Sequence, residues 1–236
     1  MSMKLGLVLV PGLLCDEALW APQVRALSDL ADCWIPESLT ENTMEGMATK
    51  VLRDAPFERF ALAGLSMGGY VCMQIMRQAP QRVLALALLD TRAVADTPEE
   101  TQRRNDLVRL AQTARGFQPV TRRMLPLLVH PSRMDDAPLV DVVRAMAERT
   151  GVEGFVRQQQ AIIGRADSRN VLKQVDVPSL VLCGRDDMLT PLVHHEQMAQ
   201  TIPGARLVVI EQCGHVSSLE RSDEVNEAMR AWLKRI

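Results

Sequence analysis

The sequence predicts an α/β fold: a mainly parallel six-stranded sheet with helices on both faces and a helical cap inserted after the fourth strand. Three observations predict it. Short apolar runs alternate with longer amphipathic segments, the pattern of parallel strands joined by helices. Several runs are continuously apolar rather than alternating, as strands covered on both faces are. One connection, from Asp90 to the run opening at Ser179, spans roughly ninety residues, where a plain crossover needs only a dozen or so.

The first strand is expected over residues 5–10, in MSMKLGLVLVPG. This run is too short to span a membrane and lacks a small-residue cleavage pattern after it, so it reads as a buried strand. A helix over 22–27 leads to a strand over 30–35, and a helix over 43–54 to the third strand at 60–63. A helix over 67–78 then precedes the fourth strand, 83–89. The insertion follows, with helices at 99–115, 139–150 and 154–163. Pro119, Pro126, Pro131 and Pro138 punctuate its middle. A strand over 179–183, a helix over 192–201, a strand over 207–210 and a helix over 223–235 complete the chain. The core is therefore expected over 1–92 and 166–236, with the cap over 93–165. Met124, Met134 and Met146 lie in the cap, where an adaptable side chain suits irregular contacts with the sheet.

Composition excludes some function classes. The 236 residues carry a net charge of −2 with no clustered Lys/Arg stripe, whereas a nucleic-acid surface needs dense positive charge. Only 3% of residues are aromatic, leaving little material for base-stacking platforms. The expected partner is a small-molecule substrate, with neither nucleic acid nor membrane. The five cysteines, Cys15, Cys33, Cys72, Cys183 and Cys213, form no CxxC pair or regular framework and read as reduced thiols of a cytoplasmic protein. The pair His194-His195 lacks a matching ligand cluster, so no metal site is expected. The loop Pro11-Gly12-Leu13-Leu14 lacks the glycine series of a dinucleotide or phosphate site, so no cofactor is expected either.

The chemistry centres on Ser66. Gly64-Leu65-Ser66-Met67-Gly68 stands between the third strand and a helix, the context of a Gly-x-Ser-x-Gly nucleophile elbow. There the serine backbone is strained, and the residues two before and two after it must be small. The pattern alone is weak, but it makes a specific demand: an acid after a later strand and a histidine after the last one. SLVLCGRDDMLTP offers Asp186 and Asp187 just beyond a strand, although paired acids there also suit a helix start. LVVIEQCGHVSSLE presents His215 at the carboxyl edge of the final strand, where open α/β sheets place their sites.

The chemistry needs all three groups. Serine is a poor nucleophile at neutral pH, so an imidazole must take its proton, and a buried carboxylate must orient that imidazole. The resulting oxyanion needs preorganised donors. The Met67 amide, at a helix start, supplies one. The second is expected from the loop after the first strand: the Leu13 amide, with Leu14 as the second choice.

The segments PGLLCDEALW, GLSMGG, LLDT, GRDDMLTP and GHVSSLE, in that order, resemble the α/β-hydrolase superfamily, in its small serine esterase and enol-lactonase-like branch. The resemblance covers almost the whole chain and implies a minimal form that begins at the third strand of an eight-stranded member. Its spacing within GRDDMLTP favours Asp187 over Asp186 as the acid, with Asp90 as a rival because some relatives place the acid there. Pro11-Gly12 departs from the His-Gly of many relatives. Because the donor is a backbone amide, the oxyanion site is expected to survive that change.

The resemblance implies hydrolysis of a carboxylic ester or lactone through an acyl-enzyme intermediate. A carbon–carbon hydrolase or acyltransferase using the same groups, or a non-catalytic small-molecule receptor, is the alternative. Arg165, and more weakly Arg122 and Arg123, could pair with a substrate carboxylate, and Met124 is expected beside the substrate. Cys183 and Cys213 read as strand-end packing.

Overall fold

A computed structural model describes residues 4–37, 41–113 and 117–236. The described residues form one six-stranded sheet: β1 (Leu5–Val10), β2 (Ala31–Trp34), β3 (Phe60–Leu65), β4 (Val83–Leu89), β5 (Ser179–Gly184) and β6 (Arg206–Ile210), in the spatial order β2-β1-β3-β4-β5-β6. Each neighbouring pair is parallel. β3 is buried along its whole length, as the uninterrupted FALAGL run requires of a strand packed on both faces.

Helices cover both faces. In chain order they are α1 (Ala21–Leu27), α2 (Met44–Asp54), α3 (Met67–Gln78), α4 (Pro98–Ala111), α5 (Phe117–Leu128), α6 (Ala137–Ile163), α7 (Arg169–Leu172), α8 (Leu192–Thr201), α9 (Ser217–Glu220) and α10 (Ser222–Leu233). One face packs Leu7, Leu9 and Leu89 against Trp20, Met229 and Trp232. The other packs Val8, Leu62 and Leu86 against Met47, Val71 and Ile75. Burying a side chain of this size contributes about 1.5–3 kcal/mol, so the alternation of strand residues between two apolar layers fixes the sheet's register. No helix among the described residues is long and apolar enough to cross a membrane.

The chain between β4 and β5 holds two helices that were not expected, α5 and the short α7. α5 occupies residues read from the sequence as a proline-punctuated connection. Pro119 falls in its first turn, where a missing N–H costs nothing because no intrahelical acceptor exists. Pro126 sacrifices one interior hydrogen bond, and the burial of Met124, Leu125 and Val129 offsets that loss. The two helices expected at 139–150 and 154–163 are α6, broken at Gly151, whose φ of 67° is non-helical. The expected end of the 99–115 helix lies outside the described residues, and α4 closes at Ala111.

α4 begins with a reciprocal cap. The Thr97 hydroxyl accepts from the Glu100 amide at 3.2 Å, and the Thr97 amide donates to Glu100 at 2.8 Å. Such a cap stabilises a helix start by about 1 kcal/mol. With Pro98 at the first position, it fixes the direction in which α4 leaves the sheet.

Candidate active site

Ser66 sits on the turn from β3 into α3 with φ 57° and ψ −116°, a conformation that a non-glycine residue adopts only when its surroundings enforce it. The Ser66 amide donates to the Leu89 carbonyl at 3.0 Å, and the Ser66 carbonyl accepts from the Thr91 hydroxyl at 2.7 Å. The two flanking glycines permit the turn. A Cβ on Gly64 would strike the Gly68 backbone, and one on Gly68 would strike the Val10 carbonyl. The strain is therefore held from both sides, and it presents the hydroxyl outward.

His215 receives that hydroxyl. His215 Nε2 lies 2.8 Å from Ser66 Oγ, and His215 Nδ1 lies 2.8 Å from Asp187 Oδ2. An ionised carboxylate only accepts, so Nδ1 carries the proton and Nε2 is free to accept from the serine. Asp187 also accepts from the Leu189 amide at 2.8 Å, the Thr190 amide at 2.9 Å and the Thr190 hydroxyl at 2.6 Å. Both partners are almost fully buried. Burial by itself would raise the Asp187 carboxyl, but the His215 charge and the hydrogen bonds from His215 and Thr190 outweigh it and hold the group below the usual carboxylate range. Burial would likewise lower His215, but the Asp187 charge and its hydrogen bond outweigh burial and raise the imidazole above its ordinary value.

The histidine loop is anchored on three sides. The His215 amide donates to the Leu128 carbonyl at the end of α5. Glu220 accepts from the Gly214 amide at 3.0 Å and from the His130 amide at 2.8 Å. Asp90, fully buried just past β4, accepts from the Gly184 amide at 3.0 Å and from both the amide and hydroxyl of Ser217. Asp90 thus ties the end of β5 to the histidine loop, whereas Asp187 makes the contact with His215. Asp186 is held elsewhere, 3.4 Å from His130 Nε2.

The loop after β1 passes close to the serine: a Cβ on Gly12 would lie 3.3 Å from Ser66 Cβ. Leu14, with φ 59°, has its amide committed to Gln158 Oε1 at 3.0 Å. Met67 opens α3 directly after the serine, at a helix N-terminus whose dipole favours negative charge. Cys15 borders the same space. Burial, together with the Asp16 charge, pushes its thiol up to about 12, so it stays protonated and non-nucleophilic. Cys183 and Cys213 are buried, with thiols raised well above the usual range by burial first and Asp90 next.

A cavity of about 360 Å³ opens onto Ser66 and His215, within the range of small-molecule sites. Leu13, Leu65, Met124, Leu128, Ile162 and Val216 supply apolar wall, and Arg92, Glu100, Arg103, Arg104 and Gln159 supply polar wall. Met124 lies in that wall. Arg165 does not, and the expectation that it faces substrate is corrected. It lies 2.8 Å from Asp96 Oδ1, donates to the carbonyls of Ile162 and Val94, and stacks on the Tyr70 ring with its guanidinium carbon 4.3 Å from the ring centroid. The buried Asp96 carboxylate demands that counter-charge, so Arg165 is turned away from the cavity. Arg122 and Arg123 are exposed and lie outside the cavity wall. Arg92, Arg103 and Arg104 were missed. The signal for the last two was the spacing of positions 100, 103, 104 and 107 after Pro98, which puts all four on one helical face. His195 is buried, and its Nε2 accepts from the Thr91 amide at 2.9 Å.

The chain is similar to known hydrolases in sequence and fold. The pimeloyl-[acyl-carrier protein] methyl ester esterase of Nitrosomonas europaea is 28% identical over 227 residues, covering 90% of this chain and 89% of that protein. A thermophilic esterase from Thermogutta terrifontis superimposes with a TM-score of 0.91 at 30% identity, covering 98% of this chain and 90% of the other. The enol-lactonase from Burkholderia xenovorans LB400 does so with a TM-score of 0.88 at 26% identity, covering 98% and 92%. The family description of the alpha/beta hydrolase fold matches residues 36–222, and with the parallel sheet and the serine turn in place the chain belongs to that family, as an enzyme of the hydrolase type.

Proposed function

We propose that this hydrolase cleaves a small carboxylic ester or lactone through an acyl-enzyme intermediate on Ser66. The observation that carries this reading is the hydrogen-bonded line from Ser66 Oγ through His215 to Asp187, opening into the cavity. The esterase and enol-lactonase named above support the choice of bond.

The reaction follows from the atoms. The Ser66 oxygen attacks the acyl carbon as its proton passes to His215 Nε2, and the carbonyl electron pair moves onto oxygen. The Leu13 and Met67 amides receive that oxyanion, and each such donor is worth about 10²–10³ in rate. When the tetrahedral adduct collapses, the bond to the leaving alkoxide breaks and the imidazolium returns the proton to it. Water then repeats the sequence on the acyl-enzyme and releases the acid and Ser66. Water is the only co-substrate the sequence needs. Residues 93–165 act as a cap whose α4 and α5 faces select the substrate.

The test is turnover of short- and medium-chain p-nitrophenyl esters by wild type, Ser66→Ala and His215→Ala, with thermal melts to show that each variant is folded. Loss of about 10⁴-fold or more in both variants is expected, together with stoichiometric phosphonate labelling of wild type but not of Ser66→Ala. Wild-type turnover by folded Ser66→Ala would overturn the reading.

A further inference from the structure

The wall of the cavity holds more positive charge than its own carboxylates neutralise. Glu100, Arg103, Arg104 and Leu107 fall at i, i+3, i+4 and i+7 on α4 and all line the cavity, with Arg92 beside them. Asp96, buried behind this wall, is 2.7 Å from Arg92, 2.6 Å from Arg104 and 2.8 Å from Arg165. Glu100 is 2.7 Å from Arg92. Glu99 is a further carboxylate, held low in part by Arg103, so four guanidinium groups, Arg165 included although it faces away from the cavity, meet three carboxylates. Asp187 does not contribute to this balance, because it is paired with His215.

The donors are also incompletely used. Arg104 spends Nε on Asp96 and Nη1 on Gln159, at 2.9 Å. Its Nη2, and all of the Arg103 guanidinium, have no hydrogen-bond partner among the described residues. The bond to Asp96 holds the Arg104 plane in place before any ligand arrives, which reduces the ordering cost of binding. The cavity that these donors share with Ser66 is also lined by Met124, Leu128 and Ile162. The site therefore offers a nucleophile, an apolar lining and a preorganised cationic wall.

We propose that the substrate of this site carries a carboxylate in addition to its ester or lactone group, and that Arg103 and Arg104, backed by Arg92, bind that carboxylate. This deepens the serine-hydrolase reading above and rests on it. Guanidinium groups recognise carboxylates through paired charge-assisted hydrogen bonds. The contact forms equally with bound substrate and transition state, so it acts on KM and kcat/KM rather than on kcat.

The test compares the monomethyl half-esters of succinate through suberate with methyl esters of the matching monocarboxylic acids, using wild type, Arg103→Gln, Arg104→Gln and Ser66→Ala. For at least one chain length the half-ester is expected to exceed its neutral counterpart at least 10-fold in kcat/KM. Each arginine variant should cut that ratio about 10-fold, mainly through KM, and 0.5 M salt should shrink it. Arg103 is exposed, so its variant is the one least exposed to folding failure. A second readout needs no turnover: free dicarboxylates should slow phosphonate labelling of Ser66 more than matched monocarboxylates, and less so in Arg103→Gln. Equal ratios and equal protection at every chain length would overturn the carboxylate assignment while leaving the serine reading intact. Wild-type turnover of the neutral esters by Ser66→Ala would overturn both.

Discussion

The carbonyl of Leu128, the last residue of α5, accepts the backbone N–H of His215 at 2.9 Å. The imidazole is thus positioned by a helix between β4 and β5 as well as by the sheet edge from which its loop departs. Glu220 reinforces the link by joining Gly214, on the histidine loop, to His130, just past α5. Glu220→Ala leaves two amide donors without their carboxylate, at a cost of about 1–3 kcal/mol, or a few degrees in Tm for a chain of this size. It should lower kcat about 10-fold or more, with less change in KM, because a misplaced base harms the reacting geometry. Glu220→Gln, which keeps one accepting oxygen, should recover part of both losses. Steady-state kinetics and thermal melts of the two variants check this.

On the proposed mechanism the His215–Asp187 pair sets the pH profile. His215 must be neutral to accept the serine proton, and its raised value places the acid limb of kcat/KM above the ordinary histidine value of about 6.5. Asp187→Asn should move that limb to lower pH and reduce the rate about 10⁴-fold. The stability effects have opposite signs. The lowered Asp187 contributes stability above the ordinary carboxylate range, which is lost as pH falls through its folded value. The raised His215 contributes stability below about pH 6.5, which is lost as pH rises through its folded value. Rate profiles and chemical denaturation across pH, for wild type and Asp187→Asn, test both.

Two glycines should respond in opposite directions to the same added methyl group. On Gly68 the methyl meets the backbone carbonyls of Val10, the last residue of β1, and of Pro11 just past it, atoms that move only if the strand end moves. Gly68→Ala should therefore destabilise the protein by about 2 kcal/mol or more and displace the Ser66 turn, with loss of phosphonate labelling. Gly164 closes α6 at φ −79°, with its nearest obstacle 3.5 Å away. Gly164→Ala should stabilise by about 0.4–1 kcal/mol, because it restricts only the unfolded chain. Parallel denaturant melts separate the two outcomes.

The sheet, the serine turn and the order of the site residues were legible because each leaves a local mark. Continuous apolar runs mark buried strands, and Gly64 and Gly68 mark a turn that tolerates no side chain. α5 was not legible: its prolines read as helix breakers, and the burial of Met124 and Leu125 that outweighs them is a tertiary fact. The choice of Arg165 failed for a similar reason. Sequence shows that an arginine is present, but not that Asp96, almost seventy positions earlier, is buried beside it and consumes its charge. The α4 arginines could have been found from their spacing, although nothing local says which helix face meets the cavity.

Asp90 and Asp187 both stand at strand ends near His215, and their variants should differ in kind. Asp187 touches the imidazole, whereas Asp90 holds Gly184 and Ser217. Asp90→Asn keeps one accepting oxygen and should lower kcat by no more than about 10-fold, against about 10⁴ for Asp187→Asn. The reverse order would reassign the acid. Burial, then the Asp187 charge, pushes the Asp90 carboxyl up to about 8, against the opposing pull of His215 and of the donors from Ser217 and Gly184. Between the ordinary carboxylate value and pH 8 the folded state therefore holds a proton that the unfolded chain has released, so this residue costs stability progressively as pH rises. Asn replaces a titrating group with a permanently neutral one. Relative to wild type, Asp90→Asn should grow more stable from about pH 4 to pH 8 and then level off. A flat difference across that range would mean that the folded carboxyl titrates where an ordinary aspartate does, and that the donors from Gly184 and Ser217 outweigh its burial.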